Sequence, residues 1–178
     1  MTLPISGAIS SDNINTEFNR TGSISFLHQA VLALAGKTAA PITIPGDVYG
    51  KVGKITGVEA AHEYGTGTPS KDEYISLVPA NTTWLGKPTY SQFVTQWQAS
   101  PGVWVVDVLL NTSTAALYTG QVRVVNNSTG VAKILTYAGP VNDALGNLTR
   151  WRSATAGSRD DTFMRVGISD SYVVHPYF

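Results

Sequence analysis

The sequence predicts a mainly β fold: an antiparallel β-sandwich or jelly-roll-like domain, preceded by an extended, partly helical N-terminal arm. Three observations carry this. Residues 103–110, Val-Trp-Val-Val-Asp-Val-Leu-Leu, form a nearly continuous apolar, β-branched run, the signature of a strand buried in the middle of a sheet. Residues 119–125 alternate apolar and polar, and residues 131–137 return after the turn signal Asn126-Asn127-Ser128-Thr129-Gly130, which together read as a hairpin. Finally, strands recur at hairpin spacing with no strand–helix alternation, which favours antiparallel over parallel architecture.

The first 70 residues have a different texture, short segments broken by Gly, Pro, Ser and Thr. Residues 10–18 read as one helical turn capped by Ser11, with Ile14 and Phe18 four apart on one face. Residues 25–35 read as a second, where Leu27, Ala30, Val31 and Leu34 make an apolar stripe and Gly36 stands at the left-handed C-cap position. Pro41 and Pro45 bracket an extended piece, and Gly46, Gly50, Gly53 and Gly57 punctuate short strands and turns. The Gly65-Thr66-Gly67-Thr68-Pro69-Ser70 stretch marks a turn or hinge. The expected organisation is therefore an arm over residues 1–70 and a sandwich domain over residues 71–178.

Within the second zone, residues 73–79 read as a strand ended by proline. Residues 89–99 read as a helix, because Thr89 and Gln92 stand at capping-box spacing and Phe93, Val94 and Trp97 share a helical face. Further strands are expected at 148–151, 163–168 and 171–174. Of the four tryptophans, Trp97 and Trp104 are expected in the core. Trp84, in a polar loop, and Trp151, between Arg150 and Arg152, are the candidates for contact with a partner or a glycan, together with those two arginines.

Composition narrows the function classes. Lys plus Arg number 12, Asp plus Glu number 12, and the formal net charge is +0, which makes nucleic acid an improbable partner. Only 13% of residues are charged, about half the usual share, and a weakly charged chain repels its own copies little. With no cysteine there is neither a thiol nucleophile nor a Cys-based zinc site. No apolar run reaches the roughly 18 residues of a membrane-spanning helix, and the N-terminus lacks the pattern of a secretory signal, so the Asn-x-Ser/Thr sites at Asn81, Asn111, Asn126, Asn127 and Asn147 are expected as unmodified turn residues. His28 reads as a capping or half-buried residue. His62-Glu63 and Asp72-Glu73 lack recognisable cation-ligand spacing. His175 and Asp170 accompany no Gly-x-Ser-x-Gly elbow. No enzyme, cofactor or metal is expected.

One resemblance adds to this. Leu3-Pro4-Ile5-Ser6, then Ile9-Ser10-Ser11-Asp12-Asn13-Ile14-Asn15-Thr16-Glu17-Phe18, then Ser23-Ile24-Ser25-Phe26-Leu27, Leu34-Ala35-Gly36-Lys37 and Ala40-Pro41-Ile42 through Tyr49-Gly50 resemble in order and spacing the opening of phage tail structural proteins. Asn19 and Arg20 stand where that group commonly has glycines, and Pro45-Gly46-Asp47-Val48 replaces a more helical run. The resemblance covers residues 3–50. It implies a structural component of a bacteriophage virion, assembled in the host cytoplasm, in the tail at the baseplate, fibre junction or neck. Its partners would be other virion proteins and its own copies in a cyclic homo-oligomer, with no membrane contact. Alternatives are a carbohydrate- or receptor-binding module at the tail tip, and a capsid decoration or head–tail completion protein. The assembly interface expected on this reading comprises Ile5, Ile9, Ile14, Phe18, Phe26, Leu27, Val31 and Leu34, with Ile24 alongside.

Overall fold

The computed structural model describes residues 3, 6–43, 47, 53–67, 70–76, 82–85, 87–112, 118–143 and 146–178. Two short helices come first, α1 (Ser11–Glu17) and α2 (Gln29–Leu34). Among the described residues ten strands follow: β1 (Ile55–Ala60), β2 (His62–Gly67), β3 (Ser70–Ser76), β4 (Thr82–Trp84), β5 (Lys87–Ser100), β6 (Val103–Thr112), β7 (Gln121–Asn126), β8 (Ala132–Asp143), β9 (Gly146–Ser153) and β10 (Ser169–Tyr177).

All the strands belong to one antiparallel sheet in the order β1-β10-β7-β8-β9-β6-β5-β3-β2, with β4 paired to β5. The expected mainly β, antiparallel class is found. The expected two-sheet sandwich is not, and the sheet is not closed into a barrel either. The order does impose a shape. Strands about 4.8 Å apart would set the first and last members of this path roughly 40 Å from each other in a flat sheet. Yet β1 and β2, at the two ends, are separated in the chain by Ala61 alone, and two Cα–Cα steps span at most about 7.6 Å. The sheet therefore coils until its ends come together, and one of its faces becomes an interior.

Alternation along the strands shows which face that is. Val106, Val108 and Leu110 of β6, Val122 and Val124 of β7, Leu135 of β8, Trp151 of β9 and Tyr172 and Val174 of β10 all join one hydrophobic cluster. β6 is central, between β5 and β9, as the apolar run predicts. At the centre, Trp84 and Trp151 meet edge to face with ring centroids 5.7 Å apart, and Tyr137 adds a second edge contact to Trp151 at 5.6 Å. Each indole N–H is buried and donates to a backbone carbonyl, Trp84 Nε1 to Gly53 O at 3.0 Å and Trp151 Nε1 to Gly120 O at 2.9 Å, so neither ring leaves a polar atom unsatisfied.

This reverses the expectation for the tryptophans. Trp84 and Trp151 are core, at 2% and 1% exposure, whereas Trp97 and Trp104 are only half-buried. The polar neighbours of Trp84 and the flanking arginines of Trp151 suggested wet positions. On a strand, however, residues i±1 point to the opposite face, so Arg150 and Arg152 say nothing about where Trp151 points. The helix expected at 89–99 is also overturned, since that stretch lies within β5. The Phe93, Val94 and Trp97 spacing that mimicked a helical face gives way to pairing on both sides, with β3 and β6, and burial follows period two at Val94 and Gln96. Residues 163–168, expected as a strand, form turns that bury Phe163 and Met164. The strands expected at 119–125, 131–137, 148–151 and 171–174 fall within β7, β8, β9 and β10, except that residues 119, 120 and 131 lie just outside them. Of the strand expected at 73–79, residues 73–76 lie in β3 and 77–79 lie outside the described residues.

The helical segment is built much as its sequence suggests. Ser10, one residue before the expected Ser11, caps α1 through a reciprocal capping box with Asn13. Ile14 and Phe18 are both fully buried. His28 caps α2, its Nδ1 accepting the Ala30 N–H at 3.2 Å. Gly36 takes the left-handed conformation, φ +76°, that a C-cap favours. Leu3, Ile14, Phe18, Ala30, Val31 and Leu34 belong to the same hydrophobic cluster as the sheet, so residues on both sides of position 70 share one core. Ser70 itself is the first residue of β3.

Gly120 gives a direct test of this packing. A Cβ there would fall within the ring and hydroxyl of Tyr118, and Tyr118 is buried with its hydroxyl donating to Gln121 O at 2.7 Å. Gly120→Ala should therefore destabilise the fold by about 1–3 kcal/mol, the range for overpacking a well-filled site. Denaturant unfolding should show a lower midpoint with an unchanged slope.

Candidate functional site

The ionisable groups of the sheet gather in two places. The first is the face opposite the main core. Asp107 lies across from Arg152 on β9 and Thr95 on β5. Its buried carboxylate accepts both Arg152 Nε and Nη2, at 2.8 and 2.7 Å, and Trp97 Nε1 at 3.0 Å. The Arg152 guanidinium lies 5.0 Å over the Trp97 ring, a cation–π contact that adds to the bidentate pair. The hydrogen bond with Asp107 raises the Arg152 pKa. Arg152 is thus committed within the chain. Arg150 sits half-buried, its Nε making no hydrogen bond. Arg159 pairs with Asp161.

The second place is the connection from β9 to β10, residues 154–168, which crosses one end of the coiled sheet. Trp104 and Ala156 exchange backbone hydrogen bonds at 2.8 Å in both directions. The buried Gln96 amide holds the backbone of Asp160 from both sides at 3.3 Å. The Asp160 carboxylate pairs with Lys133 and also accepts the Thr162 hydroxyl and the N–H groups of Thr162 and Phe163. Farther along, Asp170 is fully buried, accepting Asn126 Nδ2 at 2.8 Å and pairing with Arg165. Asn126 is itself buried and also donates to Phe163 O, so this sequon asparagine has no accessible amide.

Between this connection and the sheet lies an open groove of about 250 Å³. It forms where β8 loses its partner: β8–β9 pairing stops at Leu135↔Ser153, while β7–β8 pairing runs on to Ala132. Trp104, Ile134, Lys133, Gln96, Ser158 and Asp160 contribute to its lining, an aromatic wall beside polar groups.

His175 and Asp170 do not converge. His175 and Asp170 stand five residues apart on β10, about 16 Å along a strand and on opposite faces. His175 Nδ1 lies 2.8 Å from Pro176 O. In the β2–β3 pair the backbone register sets His62 opposite Tyr74, Glu63 opposite Glu73 and Tyr64 opposite Asp72. Among the described residues no group of three or more His, Asp or Glu is placed to hold a metal ion. Of the residues expected at an assembly interface, Ile14, Phe18, Val31 and Leu34 are wholly buried in the chain's own core, which removes them from any outward-facing surface. Ile9 and Ile24 are partly buried, Phe26 and Leu27 are exposed, and Ile5 lies outside the described residues. The groove and the Asp107–Arg152–Trp97 cluster were not found by sequence reasoning. The period-two spacing of Gln96, Gln98, Trp104 and Val106 around the Pro101-Gly102 turn was the available signal, and a helical reading of 89–99 hid it. Comparison with protein-family models, with curated protein sequences and with solved structures gave no match.

Two carboxylates at this end of the sheet set an acid limit. Burial alone would raise Asp160, but the hydrogen bonds from Lys133 and Thr162 and the Lys133 charge outweigh it and hold its pKa at about 2. The Arg165 hydrogen bond, working against burial and helped by Asn126, also lowers Asp170. A carboxylate lowered on folding stabilises the protein above its unfolded pKa, near 4, and that contribution disappears as pH falls through the folded value. The melting temperature should therefore drop between about pH 4 and pH 2. In Asp160→Asn it should start lower at neutral pH and fall less steeply over that window, as followed by circular dichroism.

Proposed function

We propose that the chain is a non-catalytic structural component of a bacteriophage virion, placed in the tail at a baseplate, fibre junction or neck, and working by contact between subunits. One observation carries the reading beyond the resemblance of residues 3–50. The segment that bears the resemblance packs one set of apolar side chains into the chain's own core and turns another outward, with Phe26 at 37% and Leu27 at 67% exposure just before α2. An apolar pair on a docked, capped turn is preorganised for a neighbour, since little ordering remains to be done on binding. The low charge of the chain fits a subunit packed among its copies in a cyclic homo-oligomer. The main ionisable clusters of the sheet are tied into internal ion pairs, which suits a scaffold better than a catalyst. Deleting residues 1–50 would remove Leu3, Ile14, Phe18 and Leu34 from the shared core, so a surface substitution is the cleaner test. The double variant Phe26→Ser, Leu27→Ser should keep its fold by circular dichroism but lose self-association in sedimentation and fail to enter particles. Normal incorporation would overturn the reading.

A second reading, a carbohydrate-binding module at a tail tip, is favoured by one feature, the half-buried Trp104 on the wall of the polar groove. An aromatic face beside hydrogen-bonding groups suits a sugar ring, apolar on one side and polar at its edge. On this reading a glycan array gives a saturable hit that Trp104→Ala abolishes. An array with no hit removes it.

A further inference from the structure

The end of the sheet opposite the groove is closed by the helical segment, and two of the chain's three histidines sit in that seam. Phe178, just past β10, is the keystone. Its ring stacks on His28 at 3.8 Å, meets Phe18 edge-on at 5.9 Å, and lies 4.6 Å beneath the Arg20 guanidinium carbon. His28 is held by two contacts that suit a neutral ring. Its Nδ1 accepts the Ala30 N–H and so caps α2, and protonation of Nδ1 would turn that acceptor into a donor facing a donor. Arg20 places a positive charge near it.

His175 lies one strand position before Pro176 and is buried at 3% exposure. Its Nδ1 is engaged with Pro176 O. Two cations stand near it: Arg123 on β7 is its direct cross-strand partner, and Lys54 precedes β1. The Phe18 carbonyl, at the C-cap of α1, also faces it. Burial, with Arg123 and Lys54, lowers the His175 pKa against the pull of the Pro176 and Phe18 carbonyls; burial and Arg20 lower that of His28. The carboxylate of the seam is Glu17, nearly fully buried, with Oε1 accepting the Gly53 N–H at 2.9 Å and the Lys54 N–H at 3.4 Å. Burial raises its pKa, so its own protonation on acidification favours the docked state, and release is driven by the two histidines against it.

We infer that the seam between the helical segment and the end of β10 is an acid-sensitive latch: protonating His28 and His175 uncaps α2, places new positive charge beside Arg20, Arg123 and Lys54, and frees residues 10–36 from the sheet. The sign follows from the environment. A histidine whose pKa is lowered on docking holds the segment above the ordinary imidazole range and releases it as pH falls below about 6.5. Because Ile14, Phe18, Val31 and Leu34 are covered only while the segment is docked, release exposes a large apolar surface.

The chain has no cysteine, so spin labels at Ser11→Cys and Thr155→Cys report the distance between α1 and the far end of the sheet without background. In the labelled full chain, pulsed electron–electron resonance should give one narrow distance at about pH 7.5. A second, longer population should grow several-fold by about pH 5, while near-UV circular dichroism of the sheet persists. His28→Asn with His175→Gln keeps a capping side chain and removes both titrations, and should stay docked at both pH values. The inference fails if the parent distribution does not change with pH, if the double variant opens as much as the parent, or if the sheet melts together with the segment. Should the double variant not fold, His28→Asn alone decides, with reduced opening supporting the latch and unchanged opening overturning it.

Discussion

The constraint on which this architecture depends is topological: the two outermost strands of a ten-stranded sheet are neighbours in the chain. With only Ala61 between β1 and β2, the sheet cannot lie flat, and its coil encloses the Trp84–Trp151 pair. Everything else answers a consequence of that coil. An enclosed apolar interior has two open ends where strands stop and backbone groups lose partners, and each must be covered by something that also satisfies hydrogen bonds. At one end the 154–168 connection does so with Gln96, Asp160, Asn126 and Asp170. At the other, α1, α2 and Phe178 do so, using apolar surface and two histidines.

The two covers differ in kind, and that difference separates rigid from responsive parts of the molecule. The 154–168 cover is fixed by charge-assisted bonds whose carboxylates are held below their ordinary pKa. The helical cover rests on helices of 7 and 6 residues, too short to hold their own conformation in water and therefore dependent on docking. A segment of this kind belongs to the low-stability end of a fold, where local opening is least costly. It is also the segment that holds the exposed Phe26 and Leu27.

Much of the strand layout was legible because β6, β7 and β8 have strong local patterns: an unbroken β-branched run, an alternating run, and an Asn/Ser/Gly turn between them. The caps of the helical segment were legible for the same reason, since capping chemistry is local; Ser10 rather than Ser11 is a one-residue matter. What was not legible depended on partners far along the chain. Residues 89–99 carry a spacing compatible with a helix, and only pairing with β3 and β6 decides for a strand. The tryptophans were misplaced because immediate neighbours were used to judge their wetness, whereas a strand alternates faces at every residue. The groove was hidden for a further reason: it arises from where β9 stops pairing with β8, and a strand's end is set by the register of two others.

The pairing of β1 with β10 joins Ile55 to Val174, more than a hundred residues later. On a ribosome, β1 emerges long before the strand that completes it, and no local hairpin can stand in for that partner. Helices α1 and α2 are in the same position, because Phe178 is the ring they close upon. Closing so long a loop costs entropy that is recovered only when both ends arrive, and chains dominated by such distant contacts fold slowly. The molecule is thus expected to acquire its tertiary structure late and all at once, after the last strand is free. Until then its apolar N-terminal segments are in the hands of whatever chaperone or neighbouring copy meets them first.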